Sequence, residues 1–115
     1  MDIEIDLYSG RRNPVFSLTP EAGQDLLSRI AALPSAPAGA APLEGLGYRG
    51  LRITDPAVDI MEIVVSGGVV LVRDRNGAER VLEDAGRSLE RSLADLAAAS
   101  LDPAEMSVLR HELEG

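Results

Sequence analysis

Four short runs rich in β-branched residues follow one another over residues 48–54, 58–65, 69–74 and 78–82, separated by gaps of only three residues. Parallel neighbours need crossovers of a dozen residues or more, so gaps this short force antiparallel pairing and predict a meander. Ser66-Gly67-Gly68 and Asn76-Gly77 are the hairpin signals. The second predicts a type I′ turn, whose two central residues both take positive φ.

The rest of the chain is arranged around this meander. Over residues 2–8, Ile3, Ile5 and Leu7 alternate with Asp2, Glu4, Asp6 and Tyr8, the period-two pattern of a half-buried strand. Residues 9–14 break it, and residues 15–18 form a short extended stretch. Thr19 reads as an N-cap with Pro20 in the first helical position, which starts a helix over 20–33 with Ala22, Leu26, Leu27, Ile30 and Leu33 on one face. Residues 34–47 hold three prolines, three glycines and a run of alanines, the composition of a flexible internal connection.

After Asp84 the pattern turns helical over 85–99, with Leu89, Leu93, Leu96 and Ala97 as the apolar stripe and Arg87, Glu90, Arg91 and Asp95 facing water. Asp102, Pro103 and Glu105 start a last helix that carries Met106, Leu109 and Leu113. Strands clustered in sequence with helices set apart predict a single α+β domain over 1–115. The expected architecture is an antiparallel sheet of four to five strands, in the order β-α-β-β-β(-β)-α-α, with the helices mainly on one face. Its expected core is Ile3, Ile5, Leu7, Leu26, Ile30, Ile53, Ile63, Val65, Val70, Val72, Leu89, Leu93 and Leu96.

Composition narrows the function classes. A net charge of −8 and a pI near 4.5 repel phosphate backbones and anionic lipid, and favour a protein partner with a basic or neutral surface. Homo-oligomerisation is left open. Cysteine is absent, which removes disulfides, thiolate metal sites and thiol nucleophiles and suits a reducing, cytoplasmic setting. The opening residues lack the basic flank and apolar run of a secretory signal, and the apolar stretches fall short of a membrane span. All 11 basic residues are arginine, which together with abundant Ala and Gly points to a GC-rich, bacterial coding sequence.

No catalytic set stands out. Asp2, Glu4 and Asp6 project from one strand face at roughly 7 Å intervals, a spacing open to a hard cation but expected simply of a solvated face. His111 is the one histidine and is expected on the surface of the last helix. Gly67-Gly68 and Gly45-x-Gly47 do not lie between a strand and a helix N-terminus, so neither is a phosphate cradle, and no cofactor motif is found. A carboxylate-dependent hydrolase or isomerase is the weakest of the readings.

The least generic segment is the loop of Ser9, Gly10, Arg11, Arg12, Asn13 and Pro14, which places two adjacent guanidinium groups in an acidic chain. Ser9, Arg11, Arg12 and Asn13 are the candidate binding residues, because arginine forks suit carboxylate or phosphate. The competing reading has the arginines paired with nearby acids and Asn13-Pro14 making a turn. The pattern Asp-x-Tyr-Ser-Gly-Arg-x-Asn-Pro-x-aromatic-x-Leu, here Asp6 to Leu18, resembles a segment near the start of small bacterial and fungal proteins of unknown function. Arg12 stands where that segment has proline and Phe16 where it has tryptophan, and the resemblance implies no activity. The function expected is a non-enzymatic interaction or accessory protein that binds or regulates a basic partner. The alternative is a small anion-binding module built on the Ser9 to Pro14 loop.

Overall fold

The computed structural model describes residues 1–7, 12–42, 48–54 and 60–114. The strands are β1 (Asp2–Ile5), β2 (Val15–Ser17), β3 (Leu51–Thr54), β4 (Ile60–Ser66), β5 (Val69–Asp74) and β6 (Glu79–Glu83). The helices are α1 (Pro20–Ala31), α2 (Ser88–Ala97) and α3 (Pro103–Glu114). All six strands join one antiparallel sheet in the order β2-β1-β3-β4-β5-β6. The strand count exceeds the expected four to five because the stretch after Pro14 is a full partner of β1. Ile5 N donates to Pro14 O at 2.9 Å and Leu18 N to Met1 O at 2.9 Å, which closes that hairpin at both ends.

Residues opposite each other across an antiparallel ladder share a face. One inward row therefore runs Phe16, Ile3, Ile53, Ile63, Val72, and a second runs Ile5, Leu51, Val65, Val70, Leu82. These rows form one core with Leu26 and Ile30 of α1, Leu89, Leu93, Ala94 and Ala97 of α2, and Leu109 and Leu113 of α3. The outward-facing Val64 and Val69 are buried but lie outside that core. The helices thus cover one face of the sheet.

Both hairpin turns differ in detail from expectation. Gly67 and Gly68 have φ of 61° and 88°, so the double-positive turn is here. In the other turn only Gly77 is left-handed, at 86°. Asp74 pairs with Ala78 around three residues, and Asp74 Oδ1 accepts Asn76 N at 2.9 Å and Ala78 N at 3.0 Å. The extra residue lets Asn76 keep an ordinary φ and leaves the positive φ to glycine, as in three-residue hairpins.

Part of the connection expected to be flexible is held on the sheet. Glu83 N donates to Pro34 O at 2.8 Å, Ala36 N donates to Val81 O at 2.9 Å, and Ser35 bridges Leu82. Residues 34–36 therefore cover the outer edge of β6. Residues 43–47 of that connection lie outside the described residues.

In α2 the expected stripe is rotated. Leu89, Glu90, Leu93, Ala94 and Ala97 are buried, whereas Leu96 is 54% exposed. At 100° per residue the buried five span an arc of about 140°, and Leu96 falls just beyond its rim. Two assignments are thereby corrected, because Leu96 leaves the core and Glu90 enters it. The rotation is set before the helix begins. Asp84 accepts Leu89 N at 2.8 Å and Glu90 N at 3.1 Å, and Gly86 and Arg87 take left-handed φ of 63° and 57°. Left-handed backbone costs a non-glycine residue roughly 1–2 kcal/mol. Here it lets Arg87 fold back on Glu90 with two hydrogen bonds, at 2.9 and 3.0 Å.

Candidate functional site

The face of the sheet away from the helices carries the polar chemistry. Past the end of β1, Asp6 keeps its outward orientation and is only 2% exposed. Its backbone pairs with the approach to β3, Asp6 N donating to Gly50 O at 2.9 Å and Arg49 N to Asp6 O at 2.8 Å. Gly50 makes that approach feasible. Its φ is +109°, and a Cβ there would meet Val65 O and Ser66 Cβ at 2.5 Å. The turn in the backbone brings two arginines onto one carboxylate: Arg49 Nη2 donates to Asp6 Oδ1 and Arg52 Nε to Asp6 Oδ2, each at 3.1 Å.

The array continues across the sheet with looser spacing. Arg52 Nη1 lies 3.5 Å from Glu62, Arg73 Nη1 lies 3.8 Å from Glu62, and Arg73 Nη2 lies 3.3 Å from Glu79. Burial works to lower the Arg52 pKa. The hydrogen bond to Asp6 and the charges of Glu62, Asp6 and Glu4 outweigh that, holding the group above its ordinary value. Arg49, Arg52, Arg73 and Glu62 surround a hollow of about 280 Å³, with Val64, Leu71 and Pro42 as its apolar lining. Arg49 Nε is shut off from solvent and has no acceptor among the described residues.

Toward β2 the same face becomes acidic, and here the expected binding residues meet the structure. Asn13 faces inward, donating to Glu4 Oε2 at 2.8 Å and Asp6 Oδ1 at 3.4 Å while its Oδ1 accepts Leu7 N at 3.1 Å. Its amide therefore ties the β1–β2 connection to β1. Arg12 is exposed, and Ser9 and Arg11 lie outside the described residues. The carboxylate row considered for a cation is in use, since Asp2 accepts Ser17 Oγ at 2.7 Å, Glu4 accepts Asn13 and Asp6 accepts the two arginines. Among the described residues no group of three or more His, Asp or Glu side chains is placed to hold a metal ion.

A second polar cluster lies under the helices. Glu90, with no solvent exposure, accepts the Tyr48 hydroxyl, Gly67 N at 3.0 Å and both Arg87 contacts. Burial first, then the charge and hydrogen bond of Glu90, push the Tyr48 phenol above its usual range. For Arg87 the hydrogen bond to Glu90 is the main cause of a raised pKa. Arg87 also reaches Glu112 O at 3.1 Å, and Arg91 reaches Leu113 O at 2.6 Å, so the same arginines cap the end of α3. This cluster ties α2 and α3 to the β4–β5 hairpin. His111 is exposed on α3, as expected.

Sequence reasoning missed Arg49, Arg52, Arg73 and Glu90. The alternation of β3 and β5 could have placed Arg52 and Arg73 on the outward face, but only strand order brings them to Asp6 and Glu62.

Among the described residues no helix is long and apolar enough to cross a membrane. No family model, curated protein or solved structure matches this chain.

Proposed function

We propose that this chain is a non-enzymatic interaction or accessory protein of the cytoplasm that takes an extended, basic segment of a protein partner along the edge of β2. One observation carries the reading: the two ends of the sheet are treated differently. Residues 34–36 cover β6, whereas β2 is uncovered among the described residues. The bonds at Pro14 and Leu18 turn the even-numbered backbone groups of this strand toward β1. Strand alternation then directs the N–H and C=O of Val15 and Ser17 outward. An added strand would gain up to four hydrogen bonds, each worth about 0.5–1.5 kcal/mol net, in the manner of edge addition.

Charge supports a basic occupant. Asp2 and Glu4 stand on the outward face one strand in from the edge, and Val15 beside them is 56% exposed. Long basic side chains on an added strand can reach those acids, and the chain's charge of −8 strengthens the attraction at low salt. The buried acids Asp6, Asp84 and Glu90 are each engaged by partners within the fold, which supports a binding role over a chemical one.

The test uses a fluorescent peptide alternating Arg and Val, read by anisotropy. Val15→Pro removes an outward N–H while leaving the β1 pairing intact, and it is expected to abolish binding. Glu4→Gln is expected to weaken binding and flatten its salt dependence. Equal binding by the wild type and Val15→Pro would refute the edge as the docking site.

A further inference from the structure

We propose that Asn76 is the chain's site of spontaneous deamidation, and that Asp74 holds the reaction in check for as long as the β5–β6 hairpin stays closed. The inference is independent of the edge reading above, because it concerns a covalent change at the opposite end of the strand order and needs no partner.

The sequence singles the position out. Deamidation begins when the backbone nitrogen of the following residue attacks the side-chain amide carbon of asparagine, and glycine in that following place has no side chain to hinder the attack. The chain has two asparagines, Asn13 and Asn76, and only Asn76 precedes glycine. Asn13 precedes Pro14, whose nitrogen carries no proton to give up, and its amide is tied to Glu4 at 2.8 Å. At Asn76 the bond from Gly77 N to Cγ forms and the bond from Cγ to Nδ2 breaks, so ammonia leaves with the proton that Gly77 N gives up. Water then opens the five-membered ring at either carbonyl, giving aspartate or isoaspartate. Either product adds a negative charge, and isoaspartate also lengthens the backbone inside a loop closed by the bond from Asp74 N to Ala78 O at 3.0 Å.

Geometry determines when the reaction can run. Asn76 and Gly77 are exposed at the hairpin tip, and a Cβ on Gly77 would meet nothing within 4 Å, so water reaches both reacting groups. The nucleophile is nevertheless held. Gly77 N donates to Asp74 O at 3.1 Å, and ring closure requires it to lose that proton and to turn toward Cγ of Asn76. The Asp74 carboxylate opposes both steps. Its Oδ1 accepts Asn76 N at 2.9 Å and Ala78 N at 3.0 Å, the amides on either side of Gly77 N. A negative charge fixed there disfavours an anion on Gly77 N, and two charge-assisted hydrogen bonds restrain the peptide units that must rotate.

The experiment incubates the full chain in mildly alkaline buffer, native or unfolded in guanidinium chloride, and follows the mass gained when an amide becomes a carboxylate, located by peptide mapping. Each variant is scored by the ratio of its native to its unfolded rate, which cancels the local effect of the substitution. The unfolded wild type is expected to deamidate at residue 76 and Asn76→Ser to show no gain at that position. The native wild type should react about tenfold more slowly than the unfolded chain or slower still, tenfold being about 1.4 kcal/mol of barrier. Asp74→Ala removes the carboxylate but keeps the backbone acceptor of Gly77 N, and it should recover most of that difference with an unchanged circular dichroism spectrum. Asp74→Ser, which keeps an oxygen acceptor without the charge, should fall between the two and carries the test if the alanine variant fails to fold. Absence of the gain at residue 76 in the unfolded chain would overturn the site. A native wild type as fast as the unfolded chain, or a folded Asp74 variant as slow as the native wild type, would overturn the role of Asp74.

Discussion

Replacing Glu90 by alanine tests the argument that this carboxylate holds the two layers together. The side chain is fully buried and accepts from four donors: the Tyr48 hydroxyl, Gly67 N and two nitrogens of Arg87. Removing one member of a buried ion pair typically costs about 3–5 kcal/mol, because the remaining charge is left without compensation. Arg87 keeps 20% exposure and can turn toward water, which favours the lower end of that range. The stranded Tyr48 hydroxyl and Gly67 N–H push the other way, since an unsatisfied buried polar group costs about 1–3 kcal/mol. These losses share one site and do not add, so the expected destabilisation is about 3–5 kcal/mol, a large part of the 5–15 kcal/mol typical of a domain.

Urea denaturation followed by circular dichroism measures this loss as a shift in midpoint at constant slope. A companion variant separates the charge from the packing. Glu90→Leu combined with Arg87→Met and Tyr48→Phe removes the three polar side chains together and leaves the Gly67 N–H as the one group that loses its acceptor, so it is expected to recover part of the stability, because a buried ion pair is often replaceable by apolar residues of similar volume. A Glu90→Ala loss below about 0.5 kcal/mol would refute the reasoning. So would a triple variant no more stable than Glu90→Ala, since removing the stranded polar side chains and refilling the site would then have recovered nothing.

Thermal unfolding of Gly50→Ala should show a loss of about 2 kcal/mol or more, because the residue sits at φ +109° and its new Cβ would overlap Val65 O at 2.5 Å. Leu96→Ser is expected to change stability by no more than about 0.5 kcal/mol, while Leu93→Ala in the same helix, at 2% exposure, should cost about 2–5 kcal/mol by urea denaturation. The folded state keeps the Tyr48 proton to a higher pH than the unfolded chain does. Stability from this group is therefore complete below pH 10 and declines above it, by up to about 1.4 kcal/mol per pH unit, and Tyr48→Phe should flatten that decline in alkaline denaturation curves. Hydrogen exchange should find the amides of Ala36 and Glu83 protected, because both bond across the covered edge of β6.

The parts of the fold legible in the sequence are those encoded by neighbours. Alternation placed Ile3, Ile5, Ile53, Ile63, Val65, Val70 and Val72 on one face, and all are buried there. Asp102 and Glu105 cap α3 reciprocally at 2.8 and 3.1 Å, as their spacing implies. What could not be read depends on distant partners. The donors that reach Glu90 include residues 42 and 23 positions away, and Asp6 meets its arginines across 43 and 46 positions. In α2 hydropathy favours Leu96 over Glu90 for the core. The preference is reversed because Asp84 and the left-handed Arg87 fix the helix rotation before packing can choose. Residues 34–36 escaped for another reason. Pro34 reads as a breaker, yet on a sheet edge its carbonyl is the group used and its missing N–H costs nothing.

The asymmetry between the two sheet edges follows from the chain order. Helix α1 begins within three residues of β2, so the chain leaves that edge for the covered face as soon as the strand ends. Twelve helical residues carry it about 18 Å, most of the roughly 24 Å that five strand spacings occupy. It therefore arrives beside β6, where residues 34–36 settle on the far edge. The chain that covers β6 is thus the chain that leaves β2, and one crossing cannot do both. Pro14 and Pro20 hold the exposed strand to three residues, a length that discourages indiscriminate pairing. An edge left open by topology offers backbone groups without selecting among the strands that could pair with it. What makes β2 a candidate is that its two outward residues sit beside Asp2 and Glu4, so the strand that would fit there is selected by charge as well as by backbone geometry.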